Sequence, residues 1–142
     1  MRRHTLALSL LTLAVATPGA AQTDIHRSAQ HDFRLVTVAD SLVMPWAMAF
    51  LPGGDMLVTE RPGRLRIIRD GRLLPDAVPG VPRVRAEGQG GLMDVAVHPD
   101  FAENRLIYLS YSKPSDDGTQ GTTAVARGRF IDDRLKIGRA HV

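Results

Sequence analysis

Ala49-Phe50-Leu51-Pro52 recurs in altered form 47 positions along the chain as Ala96-Val97-His98-Pro99, and each copy leads into a turn followed by Leu-Val or Leu-Ile. A looser similarity links residues 66–73 with residues 129–135, where a turn again separates two apolar runs. Four-stranded units that recur every ~40–50 residues are typical of β-propellers. The repeat therefore predicts a propeller, and a β-sandwich made of successive hairpins is the alternative that the pattern leaves open.

Short strand-like runs separated by turn residues surround both copies, and no sustained helical periodicity follows residue 21. Leu65 and Ile67 fall on one face of a predicted strand, with Arg64 and Arg66 on the other. Asp70-Gly71 predicts a two-residue hairpin turn, because both central positions of such a turn take positive φ. The predicted strands cover residues 33–38, 46–51, 56–59, 64–69, 92–97, 106–112 and 122–130; the predicted turns and loops include residues 99–104, 113–121 and 132–133. The chain is therefore predicted to be all-β.

Residues 33–136 supply about two such four-stranded units. Closed propellers need roughly four to eight blades, because each repeat buries its faces against its neighbours. We therefore expect this chain to be the first part of a larger propeller.

The N-terminus has the pattern of a secretory signal peptide. Arg2 and Arg3 precede an apolar run over residues 6–16, and Gly19-Ala20-Ala21 supplies the small residues that a signal peptidase recognises. The run is shorter than the roughly 20 apolar residues of a transmembrane helix. We expect a signal peptide over residues 1–21, a flexible mature N-terminus over 22–32 containing His26 and His31, no membrane insertion after cleavage, and a periplasmic or secreted protein.

Residues 137–142, Ile-Gly-Arg-Ala-His-Val, show no strand, cap or turn pattern. They resemble one reading frame of a common sequencing-library adapter, so we expect a non-native tail and a natural sequence that continues beyond Lys136. A natural short C-terminus is the alternative. His141 carries no predicted role.

Composition excludes several classes of protein. The 142 residues contain no Cys, which excludes disulfide scaffolds, iron–sulfur clusters and thiol nucleophiles. The formal charge is +3, from 18 Lys+Arg against 15 Asp+Glu. Without Arg2, Arg3 and Arg139, in the predicted signal peptide and tail, 15 basic residues balance the 15 acidic ones. The remaining basic residues are scattered without an aromatic stripe, so no nucleic-acid partner is expected.

Glu87-Gly88-Gln89-Gly90-Gly91 is the most distinctive segment. Glycines let a backbone approach a ligand closely, and the Gln89 amide both donates and accepts hydrogen bonds, which suits sugar hydroxyls or quinone oxygens. A plain turn before the strand at residue 92 is the simpler interpretation. The segment lacks the Gly-Lys-Ser/Thr of a phosphate-binding loop.

The histidine and carboxylate patterns indicate no metal site. His98 lies at a strand end beside Pro99, where capping or packing is the favoured role, and no second histidine stands at ligand spacing. Asp116-Asp117-Gly118 suggests a calcium loop but lacks the other ligands of an EF-hand, which favours a solvated loop.

The remaining polar candidates are ambiguous. Asp94 lies in an apolar strand and must be paired or face outward. Glu60-Arg61 is either a local ion pair or part of a site. Ser110 and Ser112 have no adjacent histidine, which argues against a serine nucleophile.

Residues 44–54 (MPWAMAFLPGG), 57–65 (LVTERPGRL) and 88–101 (GQGGLMDVAVHPDF), taken together, resemble the soluble aldose sugar dehydrogenases that depend on pyrroloquinoline quinone (PQQ), the glucose/sorbosone dehydrogenase family. The resemblance runs from about Phe33 to Leu135. It implies an exported six-bladed propeller that oxidises aldoses at C1 to lactones.

The family uses PQQ as hydride acceptor, a histidine as base and calcium as Lewis acid, with an aldose substrate and an external electron acceptor as partners. Gln89 matches the glutamine of the family's Gly-Gln-x-Gly segment, at the mouth of the cofactor and sugar pocket.

The later His-x-Gly-x-Arg-type segment of the family, which carries the catalytic histidine, has no match here, and neither do the later Lys and Arg contacts to PQQ or the calcium ligands. We therefore expect a catalytic histidine downstream of this chain, and no tight PQQ binding or turnover by the 142 residues alone. The alternative is an extracellular β-propeller module that binds carbohydrate or another partner without catalysis.

Overall fold

The computed structural model describes residues 25–141. Residues 25–36 belong to one compact unit and residues 37–141 to a second. The described part of the first unit is a short antiparallel pair, β1 (Ile25–His26) and β2 (Phe33–Arg34). The predicted strand over residues 33–38 is therefore wrong beyond residue 34, because side-chain alternation alone supplies no backbone partner. The predicted signal peptide lies outside the described residues.

The second unit consists of two four-stranded antiparallel sheets, each a consecutive meander. The first contains β3 (Pro45–Phe50), β4 (Met56–Glu60), β5 (Arg64–Arg69) and β6 (Arg72–Leu73). The second contains β7 (Leu92–Val97), β8 (Leu106–Pro114), β9 (Gly121–Ile131) and β10 (Arg134–His141). The predicted repeat is confirmed, because its two copies, residues 49–52 and 96–99, lie at the ends of β3 and β7, and each of these is the first strand of its sheet.

The turns between strands follow from local backbone chemistry. Asp70 and Gly71 both take positive φ, at 51° and 70°, as the two-residue hairpin requires. Asp132 and Asp133 do the same in the second sheet, at 50° and 56°. Aspartate tolerates this region better than most residues with a side chain. The equivalent turns are therefore made with different residues.

The apolar core lies between the two sheets. From Ala124 onward β9 alternates buried and exposed residues, so that Ala124, Ala126 and Phe130 lie in this core. Burial of a leucine-sized side chain contributes roughly 1.5–3 kcal/mol. The core residues from both sheets are Leu57, Leu65, Ile67, Leu92, Val95, Ile107, Leu109, Tyr111, Ala124, Ala126, Phe130 and Leu135, with Val78 from the connection between the sheets.

Three sequence-based predictions about the second sheet need correction. Residues 99–104 contain one helical turn, α1 (Phe101–Asn104), rather than a turn alone. The loop predicted over residues 113–121 is shorter, because β8 reaches Pro114 and β9 begins at Gly121. The segment after Lys136 is strand rather than patternless, since β9 offers it a backbone partner as far as His141. The adapter origin of that segment stays a prediction.

Apolar side chains remain exposed on the sheet faces that point away from the shared core. On β3, Trp46, Met48 and Phe50 are 50%, 51% and 66% exposed, and on β9 Val125 and Ile131 are about half exposed. In a closed propeller such faces are covered by the next blade. The two sheets are therefore part of a propeller, as the sequence predicted. Within residues 25–141 no helix is long and apolar enough to cross a membrane.

Candidate functional site

The Glu87–Gly91 segment forms a tight turn at the end of the sheet pair where β7 begins. The Gly90 N–H donates to the Glu87 carbonyl at 2.8 Å, so Gly88 and Gln89 occupy the two central positions. Gly88 takes φ +54°, and open space lies where its Cβ would be. Gln89 is exposed and forms no side-chain hydrogen bond within the described residues. The turn therefore presents a free amide to solvent.

Arg61, in the turn between β4 and β5, holds this segment from the first sheet. Its Nη1 donates to the Gly88 carbonyl at 2.6 Å, and its own carbonyl accepts from the Leu92 N–H at 3.0 Å. Gly91 takes φ +145°, and any Cβ there would overlap the Arg61 carbonyl oxygen. The glycine at position 91 is therefore required by the close approach of two backbones.

Ser112 of β8, in the second sheet, and Arg85, in the connection between the two sheets, hold the segment from the other side. The Ser112 N–H donates to the Gly91 carbonyl at 2.8 Å, and the Arg85 N–H donates to the Ser112 carbonyl at 2.9 Å. A Cβ on Gly90 would lie 2.7 Å from the Ser112 hydroxyl oxygen. The Arg85 guanidinium also pairs with Glu87 at 2.5 Å. Both sheets thus fix the backbone on either side of Gln89.

Thr59 joins the two sheets behind this turn. Its side chain is fully buried; the hydroxyl donates to the Met93 carbonyl at 2.5 Å and accepts from the Ala47 N–H at 3.0 Å. Both partners lie where the register of β3 or β7 shifts, so their backbone groups lack a regular ladder partner. A single hydroxyl therefore satisfies two irregular strands.

Glu60 is a fully buried carboxylate with a complete set of partners. It accepts from the Val43 N–H at 2.6 Å and from Arg64 Nε at 2.5 Å, and Arg66 lies 3.6 Å away. Burial alone would raise the pKa of Glu60, but the Val43 hydrogen bond and the two arginines together lower it below 4.5. Of the two interpretations of Glu60-Arg61, the ion pair between these neighbours is not formed, because Glu60 pairs with Arg64 and Arg66 while Arg61, in the turn after β4, donates to the Gly88 carbonyl.

His98 has a local structural role, as the sequence favoured, in the turn that precedes α1. Its Nδ1 accepts from the Asp100 N–H at 3.0 Å and lies 2.9 Å from Asn104 Nδ2, and its ring stacks on Tyr108. Acceptance from a backbone N–H requires an unprotonated Nδ1. His98 is thereby committed to the entry of α1.

The predicted behaviour of the carboxylates is also found. Asp94 is exposed in β7, and its N–H donates to the Ser110 hydroxyl at 2.9 Å. Asp117 accepts from the Ser115 hydroxyl, then from the Thr119 N–H and hydroxyl, and these hydrogen bonds lower its pKa to about 2. The carboxylate oxygens of Asp117 therefore accept hydrogen bonds from within its own loop. Across residues 25–141 no group of three or more His, Asp or Glu could hold a metal ion.

A separate cleft of about 760 Å³ lies at the opposite end of the sheet pair, lined in part by Phe101, Arg105 and Phe130. Arg69 spans the two sheets there, with a bidentate pair to Asp133 at 2.9 and 3.0 Å and a bond to Asp55 at 2.8 Å. No sequence signal pointed to this cleft.

The glucose/sorbosone dehydrogenase family model matches residues 42–142, which include every residue around Gln89 described above. The chain belongs to the glucose/sorbosone dehydrogenase family. It is 52% identical over 99 residues to an aldose sugar dehydrogenase of Escherichia coli (strain K12), a match covering 69% of this chain and 26% of that protein.

Solved structures of aldose sugar dehydrogenases are similar to this chain in both sequence and fold. The apo-form of a soluble aldose sugar dehydrogenase from Escherichia coli is 48% identical with a TM-score of 0.65, covering 75% of this chain and 30% of that one. A PQQ-bound aldose sugar dehydrogenase from Streptomyces coelicolor is 30% identical with a TM-score of 0.60, covering 75% and 31%. The chain thus spans less than a third of the length of these relatives.

Proposed function

We propose that this chain is the N-terminal part of an exported quinoprotein that oxidises aldose sugars at C1 to lactones, with PQQ and calcium as cofactors and an external electron acceptor. The observation that carries the proposal is the family match over residues 42–142, which includes the Gln89 turn. Periplasmic or secreted location rests on the predicted signal peptide over residues 1–21.

The Gln89 turn fits one edge of a bound quinone. PQQ carries quinone and carboxylate oxygens, which need hydrogen-bond donors, and the exposed Gln89 amide supplies one. The open space beside Gly88 admits a close approach to the backbone. When bound, PQQ supplies the acceptor for the hydride equivalent that leaves C1. Gln89 itself would bind and orient the cofactor or the sugar hydroxyls.

Calcium does not fit the residues described here in the same way. Residues 25–141 contain no carboxylate cluster for a cation, and Asp117 is occupied by its own loop. Calcium therefore enters the proposal from the family resemblance alone.

The proton acceptor is proposed to lie in a later segment of the protein. His98 Nδ1 accepts from the Asp100 N–H in the turn before α1, at the opposite end of β7 from Gln89. His26 and His31 belong to the first unit. The 142 residues alone are therefore expected to be inactive.

The test uses the gene sequence beyond codon 136. The full-length protein is expected to reduce a dye in the presence of an aldose, and to need both PQQ and calcium to do so. The 142-residue chain is expected to give no turnover under the same conditions. Aldose oxidation by the short chain contradicts its proposed inactivity, and a full-length protein inert with PQQ contradicts the proposed function.

The carbohydrate-binding module is the second candidate. The observation that favours it is that His98 contacts Asp100 and Asn104 at the opposite end of β7 from Gln89, and so does not serve as a base there. A downstream sequence without a His-x-Gly-x-Arg-like segment, together with aldose binding without oxidation, would support it.

A further inference from the structure

We propose that Arg61 is a positioning residue for Gln89: its guanidinium fixes the peptide plane that leads into Gln89 and so sets where the amide meets the cofactor. The inference rests on the proposed function for what Gln89 contacts. It goes beyond that function by assigning the role to a residue in a different sheet.

The decisive contact is made to the middle of the turn. The Gly88 carbonyl belongs to the peptide that joins the two central residues, and it accepts from Arg61 Nη1 at 2.6 Å. Rotation of this peptide would change φ of Gln89 and with it the direction of the side chain. A hydrogen bond from a charged donor is stronger than one from a neutral donor, so the contact holds the plane firmly.

Arg61 is itself anchored at both backbone atoms. Its N–H donates to the Met44 carbonyl at 2.9 Å, and its carbonyl accepts from Leu92 at 3.0 Å. Two residues further along the same turn, the Gly63 N–H donates to the Glu60 carbonyl at 2.9 Å. The guanidinium therefore extends from a fixed base, and displacement of the Gln89 turn must break its contact with Gly88.

Among residues 25–141, one donor of the Arg61 guanidinium is left unpaired by this arrangement. Arg61 Nε is buried without a hydrogen-bond partner within the described residues. A buried unpaired donor is destabilising and calls for a reason. Placement of Nη1 on the Gly88 carbonyl supplies that reason.

The experiment is a double-mutant cycle in the full-length apo protein, with PQQ binding followed by absorbance titration. Arg61→Ala and Gln89→Ala are each expected to weaken PQQ binding roughly tenfold, the size of one charge-assisted hydrogen bond. The double variant is expected to bind no more weakly than Gln89→Ala alone, because Arg61 acts through Gln89. Arg61→Lys is expected to recover part of the loss, since an ammonium can reach one carbonyl but lacks the rigid fork.

Arg72→Ala serves as the matched control, because Arg72 is an exposed arginine in the hairpin at the opposite end of the sheet. It is expected to leave PQQ affinity unchanged. Losses that multiply in the double variant would overturn the proposal, since independent effects add in free energy.

Hydrogen exchange of the Gly90 amide, measured without cofactor, separates this inference from the proposed function. Arg61→Ala is expected to speed exchange at Gly90, whose N–H closes the turn on Glu87. An unchanged exchange rate contradicts the role of Arg61. Absence of PQQ binding in the wild-type protein contradicts the proposed function and leaves the exchange result to decide on Arg61.

Discussion

The two ends of the sheet pair are held together by different chemistry. At the Gln89 end, backbone groups meet directly: Leu92 donates to Arg61, and Gly91 packs on the Arg61 carbonyl. At the opposite end, the Arg69 guanidinium bridges Asp55 and Asp133 through partly exposed side chains. The hydrogen bonds that Arg69 donates raise its pKa, and the bond to Asp133 has a larger effect than the bond to Asp55.

The difference shows which end of the sheet pair is held more rigidly. Backbone contacts allow almost no displacement, whereas an exposed ion pair tolerates side-chain rearrangement and contributes little net stability. The more rigid arrangement is therefore at the turn for which we propose a role in binding the cofactor or sugar. We expect substitutions at the Gln89 end to be the more damaging ones.

The largest effect is expected from Gly91→Ala. The new Cβ would overlap the Arg61 carbonyl at a φ of +145°, so strain and overpacking together should lower the free energy of unfolding by about 4 kcal/mol. Denaturant unfolding of the purified protein measures it. Gly53→Ala is the control, because nothing lies within 4 Å of its Cβ position. If both alanine variants unfold alike, the close backbone approach is not what holds this end.

Glu60→Gln should come next, with a loss of about 3 kcal/mol near neutral pH, because it leaves Arg64 and Arg66 facing an uncharged group in a buried network. The lowered pKa of Glu60 fixes the pH dependence: its contribution is complete above pH 4.5 and is lost as the pH falls through the lower folded-state value. The free energies of unfolding of wild type and Glu60→Gln, measured by denaturant unfolding at each pH, should therefore converge at acid pH.

The exposed Glu103→Gln is the control for that series and should track wild type at every pH. A gap between wild type and Glu60→Gln that stays constant as the pH is lowered would show that the charge of Glu60 does not stabilise the fold.

The smallest effect is expected from Asp133→Asn at the opposite end. The Asp133 and Arg69 side chains are 41% and 39% exposed, so the loss should be under about 1 kcal/mol and should shrink in high salt. Asp132→Asn, in the same turn, should change nothing measurable. A loss as large as that of Gly91→Ala, or one insensitive to salt, would remove the distinction between the two ends.

Much of the fold was predictable from local chemistry. Six of the seven predicted strands correspond to β3, β4, β5, β7, β8 and β9, because Pro-Gly, Asp-Gly and Asp-Asp turns separate apolar runs. The two segments that were predicted wrongly depended on whether a neighbouring strand was available to pair with them. Residues 35–38 have the composition of a strand but remain outside the strands, whereas residues 137–141 lack a pattern and are paired with β9.

The candidate site was predictable only in part. Three closely spaced glycines around one amide made Gln89 a candidate, although a plain turn was the simpler interpretation, and the family resemblance then favoured a role in the site. Arg61 and Ser112 gave no such signal, because they lie 28 and 23 positions away and contact the turn only after the two sheets have packed. The sequence left Arg61 undecided between an ion pair and a site for that reason.

By itself, then, the sequence determined the all-β class, the repeated four-stranded unit and the family, because turn propensities and motifs act over a few neighbouring residues. The tertiary structure alone decided that Arg61 serves the Gly88 carbonyl while Glu60 pairs with Arg64 and Arg66, and that Thr59 joins two irregular strands. These contacts depend on which faces of β4, β5 and β7 meet, and long-range packing fixes that choice.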